Sequence, residues 1–428
     1  MDQKLLFKNI TYLDSTSMRL LKGDIRVSAG YITELGNDIT EKSDETIILS
    51  CDFIVLPGMI NAHLHPSKEI YGGVLDFSPI DVVLDSVHTN NSLEDAEGQY
   101  VASLKSIMSA LKKGVTTFGL FTSRIESDVR AAQKIGVRAV ISYCQNNQWI
   151  GSGRSPESKS IEEITRQFFD VEEKYKSNLI AVCPATASEL SADDDLIRKL
   201  HLIAKEFKTK FFVHMHEGEH QVISHHNVYG MSGIERLAKL NVLDNYTTLI
   251  HSCHLSEKDK SLLLLGGCNI IHCPVSNSFV GAGTLPLKDL SSMTIGLGTD
   301  AAMVNPVNNI TFDALMSIYH HGDNDFTKKV SAAYILKTLT EGGANSLGLS
   351  QTGRIETGFK ADLIFYDMKS IDSAYLNTPI SILKMLNLES PCKVMINGKI
   401  IIDNTNFIDS TLLDNESKYS AIREMINL

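Results

Sequence analysis

YVASLKSIMSALKKGVTTFGLF, residues 100–121, decides the fold. Val101, Leu104, Ile107, Met108 and Leu111 recur at helical spacing, and Gly114 stops the pattern. Val115–Phe121 then runs on as a short, almost unbroken apolar strand. The unit repeats down the chain. Gly136 ends the next helix and Val137–Tyr143 follows as a strand. Leu179–Pro184, Lys210–His216, Thr247–His251, Asn269–Pro274 and Thr294–Asp300 read the same way, each after a helical or connecting stretch. Ser232-x-x-Glu235 and Ser256-x-x-Asp259 are helix-start capping pairs. With Phe53–Ile60 at the front there are eight strands. Unbroken apolar strands alternating with helices imply a buried parallel sheet. Eight of them predict an α/β fold, a (β/α)8 TIM-like barrel, with its chemistry at the strand C-terminal ends.

Outside this region the texture changes. Leu5–Leu13 and Asp24–Leu35 are apolar runs split by turn residues, and Ala361–Tyr366 and Lys393–Ile402 read as strands, with Asn397-Gly398 as a hairpin turn. One small β-sandwich domain built from both chain ends, 1–56 and 355–410, is expected around a barrel of residues 57–354, with a helical tail at 411–428.

Composition narrows the function. The 428 residues are 43% hydrophobic and 21% charged, which suits a globular chain. Forty Lys+Arg against 51 Asp+Glu give a net charge of −11, which repels phosphate backbones and argues against nucleic-acid binding. It leaves small neutral or cationic substrates open. The N-terminus lacks a signal-peptide pattern and no segment reads as a membrane span. Seven scattered cysteines without a CxxC suit the reducing cytoplasm.

Candidate chemistry collects at strand ends. In PGMINAHLH (57–65), residues two apart on a strand face one side, so His63 and His65 point together into the barrel mouth. FFVHMHEGE (211–219) ends a second strand in the same pattern, with His214 one layer deeper than His216; one ligand from this pair suffices. Glu219 falls on the loop above, where a carboxylate can shuttle a proton. His251 ends another strand and can orient water or steady developing charge, and Asp300 closes GLGTD (296–300) with a hard oxygen ligand. Three imidazoles and a carboxylate bind one divalent ion, Zn²⁺ or Fe²⁺, and leave room for a water whose pKa falls from ~15.7 toward ~7. No lysine at the end of Leu179–Pro184 offers a carboxylated bridge, so a mononuclear site is expected.

These motifs, in this order, resemble the amidohydrolase superfamily, and most of all its deaminase and chlorohydrolase branch, which includes guanine deaminase, methylthioadenosine/adenosylhomocysteine deaminases and the triazine hydrolases. PGMINAHLH (57–65), HEGE (216–219), IHSCHLS (250–256), HCPVSNSFVGAG (272–283), GLGTD (296–300) and GFKADLIFYD (358–367) carry the resemblance. It implies that His63, His65, His216 and Asp300 bind the metal. Glu219 would carry a proton to the substrate ring and then to the leaving group, His251 would polarise water or the tetrahedral intermediate, and Asp300 would take the proton from the attacking water. It further implies ammonia release from an amino-substituted N-heterocycle of purine, pterin, pyrimidine or triazine type. Cleavage of a carbon–halogen or amide bond at the same centre is the alternative. A homodimer is implied by the family alone.

Two stretches depart from the branch: CPATAS (183–188) replaces its P-H-A-P-Y-T segment, and PSKEIYGG (66–73) its leucine-rich one. Both bear on substrate. Lys68, Glu69, Trp149 and Asn277 are therefore candidate substrate-binding residues, Trp149 because an aromatic face among amides suits a flat heterocycle, while Ser276 and Asn277 are also placed to support the metal ligands.

Overall fold

The apolar runs assemble into two sheets in a computed structural model that describes residues 4–49, 52–73, 76–83, 95–150, 159–322, 329–369, 371, 376 and 378–425. The N-terminal strands are β1 (Leu5–Asp14), β2 (Arg19–Ser28), β3 (Tyr31–Gly36), β4 (Thr46–Leu49) and β5 (Phe53–Pro57). Eight strands follow: β6 (Met59–Leu64), β7 (Val115–Thr122), β8 (Arg138–Cys144), β9 (Ile180–Thr186), β10 (Phe211–Met215), β11 (Thr247–His251), β12 (Asn269–His272) and β13 (Thr294–Leu297). The chain closes with β14 (Leu363–Asp367), β15 (Lys393–Ile396), β16 (Lys399–Asp403) and β17 (Asn406–Phe407).

Strands β6 to β13 pair in sequence order, all parallel, and a bridge between Leu64 and Asp300 brings the last strand back to the first. The result is the expected eight-stranded barrel. Ile60, Phe121, Val140, Phe212, Ile250 and Ile271 fill its interior, while the outward faces of the strands pack against helices such as Ala96–Lys112 and Asp194–Glu206. Each fully buried side chain of this size contributes roughly 1.5–3 kcal/mol. Helix ends follow local chemistry: Ser256 and Asp259 form the expected capping box, and Ser232 caps its helix by accepting from Glu235 N.

The chain ends build one continuous sheet, ordered β17-β16-β15-β14-β5-β1-β2-β3 with β4 beside β1. Phe7 on β1 meets Phe365 on β14 at 5.2 Å between ring centroids, although β5 lies between these strands, so the sheet bends around its own core. The expected single strand Phe53–Ile60 is two: β5 belongs to this sheet, and Gly58 turns the chain into the barrel at β6. A Cβ at Gly58 would stand 2.0 Å from Thr116 Oγ1, so only glycine fits this crossing. A buried bidentate pair, Arg138 to Asp362 (2.6 and 3.1 Å), ties the base of β8 to the segment that leads into β14. Helix Glu416–Met425 packs on the turn after β6, where Tyr419 Oη donates to Glu69 O (3.2 Å). Among the described residues no helix is long and apolar enough to cross a membrane.

Candidate active site

Five side chains from the C-terminal ends of four barrel strands meet at the barrel mouth. β6 delivers His63 and, just past its end, His65; β10 delivers His214, β11 His251, and the segment after β13 Asp300. His63 Nε2 lies 3.3 Å from His214 Nε2, and Asp300 Oδ1 lies 3.5 Å from both His63 Nε2 and His65 Nε2. Ligand atoms ~2.1 Å from a tetrahedral zinc stand about 3.4 Å apart, so these separations are those of a cation cage. One ligand atom each from His63, His65 and His214, and likewise from His63, His251 and Asp300, lies within 4.8 Å of the others. Burial pushes His63, His65 and His214 down, His65 to about 3, so the imidazoles are neutral at pH 7 with lone pairs free to bind a metal. Phe121 backs the cluster, its ring 4.4 Å from that of His214. The donor set fits a divalent ion.

Backbone geometry makes the convergence possible. His251, Ser252 and Asp300 have φ of 74°, 55° and 63°, a left-handed conformation that non-glycine residues adopt at a cost and that turns each chain sharply as its strand ends. At Gly298 a Cβ would sit 2.6 Å from His63 Cβ; its absence lets the end of β13 close onto β6. Asp300 is held from three sides: its N–H donates to His63 O (3.0 Å), Ser276 Oγ donates to Oδ2 (2.6 Å), and Ala301 N donates to Oδ1 (2.7 Å). His251 Nδ1 donates to Asn277 Oδ1 (2.8 Å), which leaves Nε2 facing the site.

The structure corrects the reading of HMHEGE. β10 stops at Met215, and His216 has φ 49°, which takes its ring out of the strand's alternation. Both ring nitrogens are engaged elsewhere: Nδ1 donates to His254 O (2.9 Å) and Nε2 accepts from Gly233 N (3.0 Å). His216, expected as a metal ligand, is an internal brace, and His214 takes the place beside His63. Glu219 moves with it. It is the first, exposed residue of helix Glu219–Tyr229, outside the cleft. Glu217 is the buried carboxylate, 7% exposed, with Oε1 3.8 Å from His251 Nε2. Burial, and Asp300 nearby, push its carboxyl up against the opposing pull of His251. H-x-x-E fits His214–Glu217 as well as His216–Glu219, so the motif alone does not choose. Glu189 was not anticipated: its carboxylate accepts from His216 N (3.0 Å) and its N–H donates to His214 O (3.2 Å), so it clamps the end of β10.

Above the cluster opens a cleft of about 370 Å³. Lys68 and Trp149 line it with Phe121, Arg124, Gln221 and Met303. Two other candidate substrate contacts point elsewhere. Glu69 turns away from the cleft and accepts from Asn308 Nδ2 (2.9 Å), and Asn277 is buried behind His251.

The chain is similar to known proteins over most of its length. The chain is 27% identical over 434 residues to a 5'-deoxyadenosine deaminase of Methanobrevibacter smithii, covering 99% of this chain and 98% of the relative. It is 29% identical over 359 residues to a 5-methylthioadenosine/S-adenosylhomocysteine deaminase of Acetivibrio thermocellus, covering 82% and 81%. Its fold superposes with a TM-score of 0.89, at 18% identity, on the atrazine chlorohydrolase of Arthrobacter aurescens solved with zinc, covering 98% of this chain and all of that one. The amidohydrolase family profile matches residues 54–401, and with that span, from the last strand of the N-terminal β segment to the closing hairpin, the chain belongs to the amidohydrolase family.

Proposed function

We propose that this chain is a metal-dependent hydrolytic deaminase that releases ammonia from an amino-substituted N-heterocycle. The observation that carries the reading is Glu217: a buried carboxyl, displaced toward protonation, beside both His251 and a three-histidine, one-aspartate cage. Relatives named as adenosine-type deaminases over nearly the whole chain support it.

His63, His65, His214 and Asp300 would hold the ion, with zinc the best match to this donor set. When bound, such an ion supplies Lewis acidity that makes hydroxide available at neutral pH. Asp300 has an oxygen facing the cage and takes the proton from the attacking water. Glu217 donates to the ring nitrogen next to the carbon under attack, which makes that carbon the better electrophile. His251, its tautomer set by Asn277, steadies charge on the oxygen that becomes the product carbonyl. Glu217 then takes the hydroxyl proton of the adduct as the carbonyl forms and passes it to the amine, which departs as ammonia, and the proton held by Asp300 restores Glu217. Trp149 offers a flat face to the ring.

Ammonia is a poor leaving group until it is protonated, whereas chloride needs no proton, so a protonatable Glu217 favours deamination over dehalogenation. The test is ammonia release by the zinc-loaded protein from purine, pterin, pyrimidine and triazine amines, with chloride release from a chlorotriazine run in parallel and Glu217→Gln as control. Chloride without ammonia would replace this reading with the chlorohydrolase one. The same reading has the protein acting in the cytoplasm as a homodimer, supported respectively by the six cysteines that are free among the described residues and by the family resemblance.

A further inference from the structure

The barrel closes on an uneven seam. From β6 round to β13 neighbouring strands share ladders of backbone hydrogen bonds, whereas β13 meets β6 through the single bridge between Leu64 and Asp300. Two cage members flank that seam, His65 just past β6 and Asp300 just past β13. The segments that follow them face each other. His65 leads into the turn Pro66–Tyr71, and Asp300 leads through residues 301–309 into helix Ile310–His321. Both segments line the cleft, the first with Ser67 and Lys68, the second with Ala301, Met303 and Val304. They approach so closely that a Cβ at Gly72 would stand 3.2 Å from Ala302 Cβ.

A side-chain hydrogen bond joins the two segments: Glu69 Oε2 accepts from Asn308 Nδ2 (2.9 Å). Asn308 has φ 42°, a left-handed conformation that asparagine tolerates, and its N–H donates to Asn305 O (2.9 Å) and Oδ1 (3.0 Å). Asn305 is fully buried and donates from Nδ2 to Thr299 O and to Asp313 Oδ2, both at 3.0 Å. Thr299 N in turn donates to Asn61 Oδ1 (3.0 Å), and Asn61 Nδ2 donates to Thr299 Oγ1 (2.7 Å). Asn61 lies on β6, two residues before His63. The contacts therefore close a ring, along the chain from Asn61 to Glu69, across to Asn308, and back through Asn305 and Thr299. His63, His65 and Asp300 are all on the backbone of that ring. Its Glu69 side is backed from outside the barrel, where Tyr419 Oη donates to Glu69 O (3.2 Å) and Arg423 donates to Gly72 O. A paired polar network in a low-dielectric interior holds one geometry, because any other leaves its members short of partners.

We infer that Glu69 and Asn308 form a clasp across the barrel seam and are positioning residues for the cage: their hydrogen bond sets the spacing of His65 and Asp300, 3.5 Å between Nε2 and Oδ1, and the width of the cleft between the two loops. Neither side chain lines the cleft, so the clasp acts through the loops that carry the ligands. The inference rests on the deaminase reading for the metal cage alone, not for the bond that the site breaks.

The test uses the full-length protein. Asn308→Asp sets one carboxylate against another, and Glu69→Gln combined with Asn308→Asp restores a bond, with the new amide donating to the new carboxylate. Zinc affinity, by competition with a chelator, and the visible absorption of the cobalt-loaded protein read the cage without reference to catalysis. Urea unfolding reads stability, and ammonia release gives kcat and KM. Asn308→Asp is expected to weaken zinc binding about 10- to 100-fold, to shift the cobalt bands and to lower kcat at saturating zinc. The double variant should recover most of that loss, since the two positions act as one pair. A residue that only supports the fold would lower the urea midpoint and leave zinc affinity and cobalt bands unchanged. That result, or a double variant no better than Asn308→Asp alone, would overturn the clasp. Glu69→Met removes the acceptor without setting like charges together, so it answers the question even if Asn308→Asp fails to fold; wild-type zinc affinity and cobalt bands in Glu69→Met would equally overturn it. Weakened zinc binding in the variants, from a wild-type protein that releases no ammonia, would uphold the clasp and defeat the deaminase reading. Ammonia release by a wild-type protein whose variants hold zinc just as tightly would do the reverse.

Discussion

His63-Leu64-His65 and His214-Met215-His216 are the same three-residue pattern at the ends of two strands of one barrel, yet they do different work. In the first pair both rings enter the cage, where their centroids are 4.7 Å apart. In the second only His214 does; the His216 ring is locked between His254 O and Gly233 N. The difference lies in where extended backbone stops. Side chains two apart share a face only while both residues keep strand geometry. His65 keeps a negative φ of −104° as it leaves β6, whereas His216, at φ 49°, has already crossed into the left-handed region. That turn also brings Glu217 into the cleft and leaves Glu219 outside. A repeated motif is thus a repeated function only if the backbone beneath it repeats too.

The comparison can be broken most decisively at the metal. His214→Ala is expected to abolish stoichiometric zinc binding and lower ammonia release by at least about 1000-fold. His216→Ala should keep the metal, as read by elemental analysis of the purified variants. If the two exchange behaviour, the register assigned to β10 is wrong. The two carboxylates come next. Glu217→Gln should cut kcat by roughly 100- to 10,000-fold with zinc retained, and Glu219→Gln should stay within about twofold; comparable losses in both would remove the distinction between them. Asn277→Ala frees the His251 ring and should cost about 10- to 100-fold in kcat at unchanged metal content; loss of zinc instead would make Asn277 a structural support only.

Stability sharpens the contrast further. Because His216 is a brace, His216→Ala should destabilise the fold by about 2–4 kcal/mol through a cavity and two lost hydrogen bonds, read by urea unfolding. The smallest effect is on pH dependence. His225, on the helix that follows the second pair, is buried, and its Nδ1 donates to Met231 O. Burial pushes its imidazole down to about 4. The unfolded chain takes up that proton near 6.5 and the folded one does not. Its contribution is therefore complete above pH 6.5 and drains away as pH falls toward 4. His225→Gln should flatten the loss of stability across that window, and an unchanged slope would show that other groups set it.

Much of the fold was legible because it rests on local signals. Helix-period runs such as Val101 to Leu111, the stop at Gly114 and unbroken apolar strands are short-range consequences of burial, and they implied a barrel before any coordinates. His63, His65, His251 and Asp300 were placed at the barrel mouth for the same reason: each lies at or just beyond the end of an apolar run. Gly58 was missed as a boundary because Phe53–Ile60 is one apolar run; what divides it is contact with Thr116 across the barrel base, which no local pattern records. Glu69 and Asn277 were read as substrate contacts because they neighbour the site in sequence, but hydrogen bonds to Asn308 and His251 turn them away.

The amino-acid sequence by itself determined the barrel and the strand ends at which His63, His65, His251 and Asp300 gather, since hydrophobic period and residue type are properties of the chain. Only the tertiary structure decided that His214 and Glu217 face the cleft while His216 and Glu219 do not, and that Lys68 and Arg124 share a wall with them. Those choices depend on a single φ at the end of β10 and on groups brought together from distant parts of the chain, which side-chain spacing cannot encode.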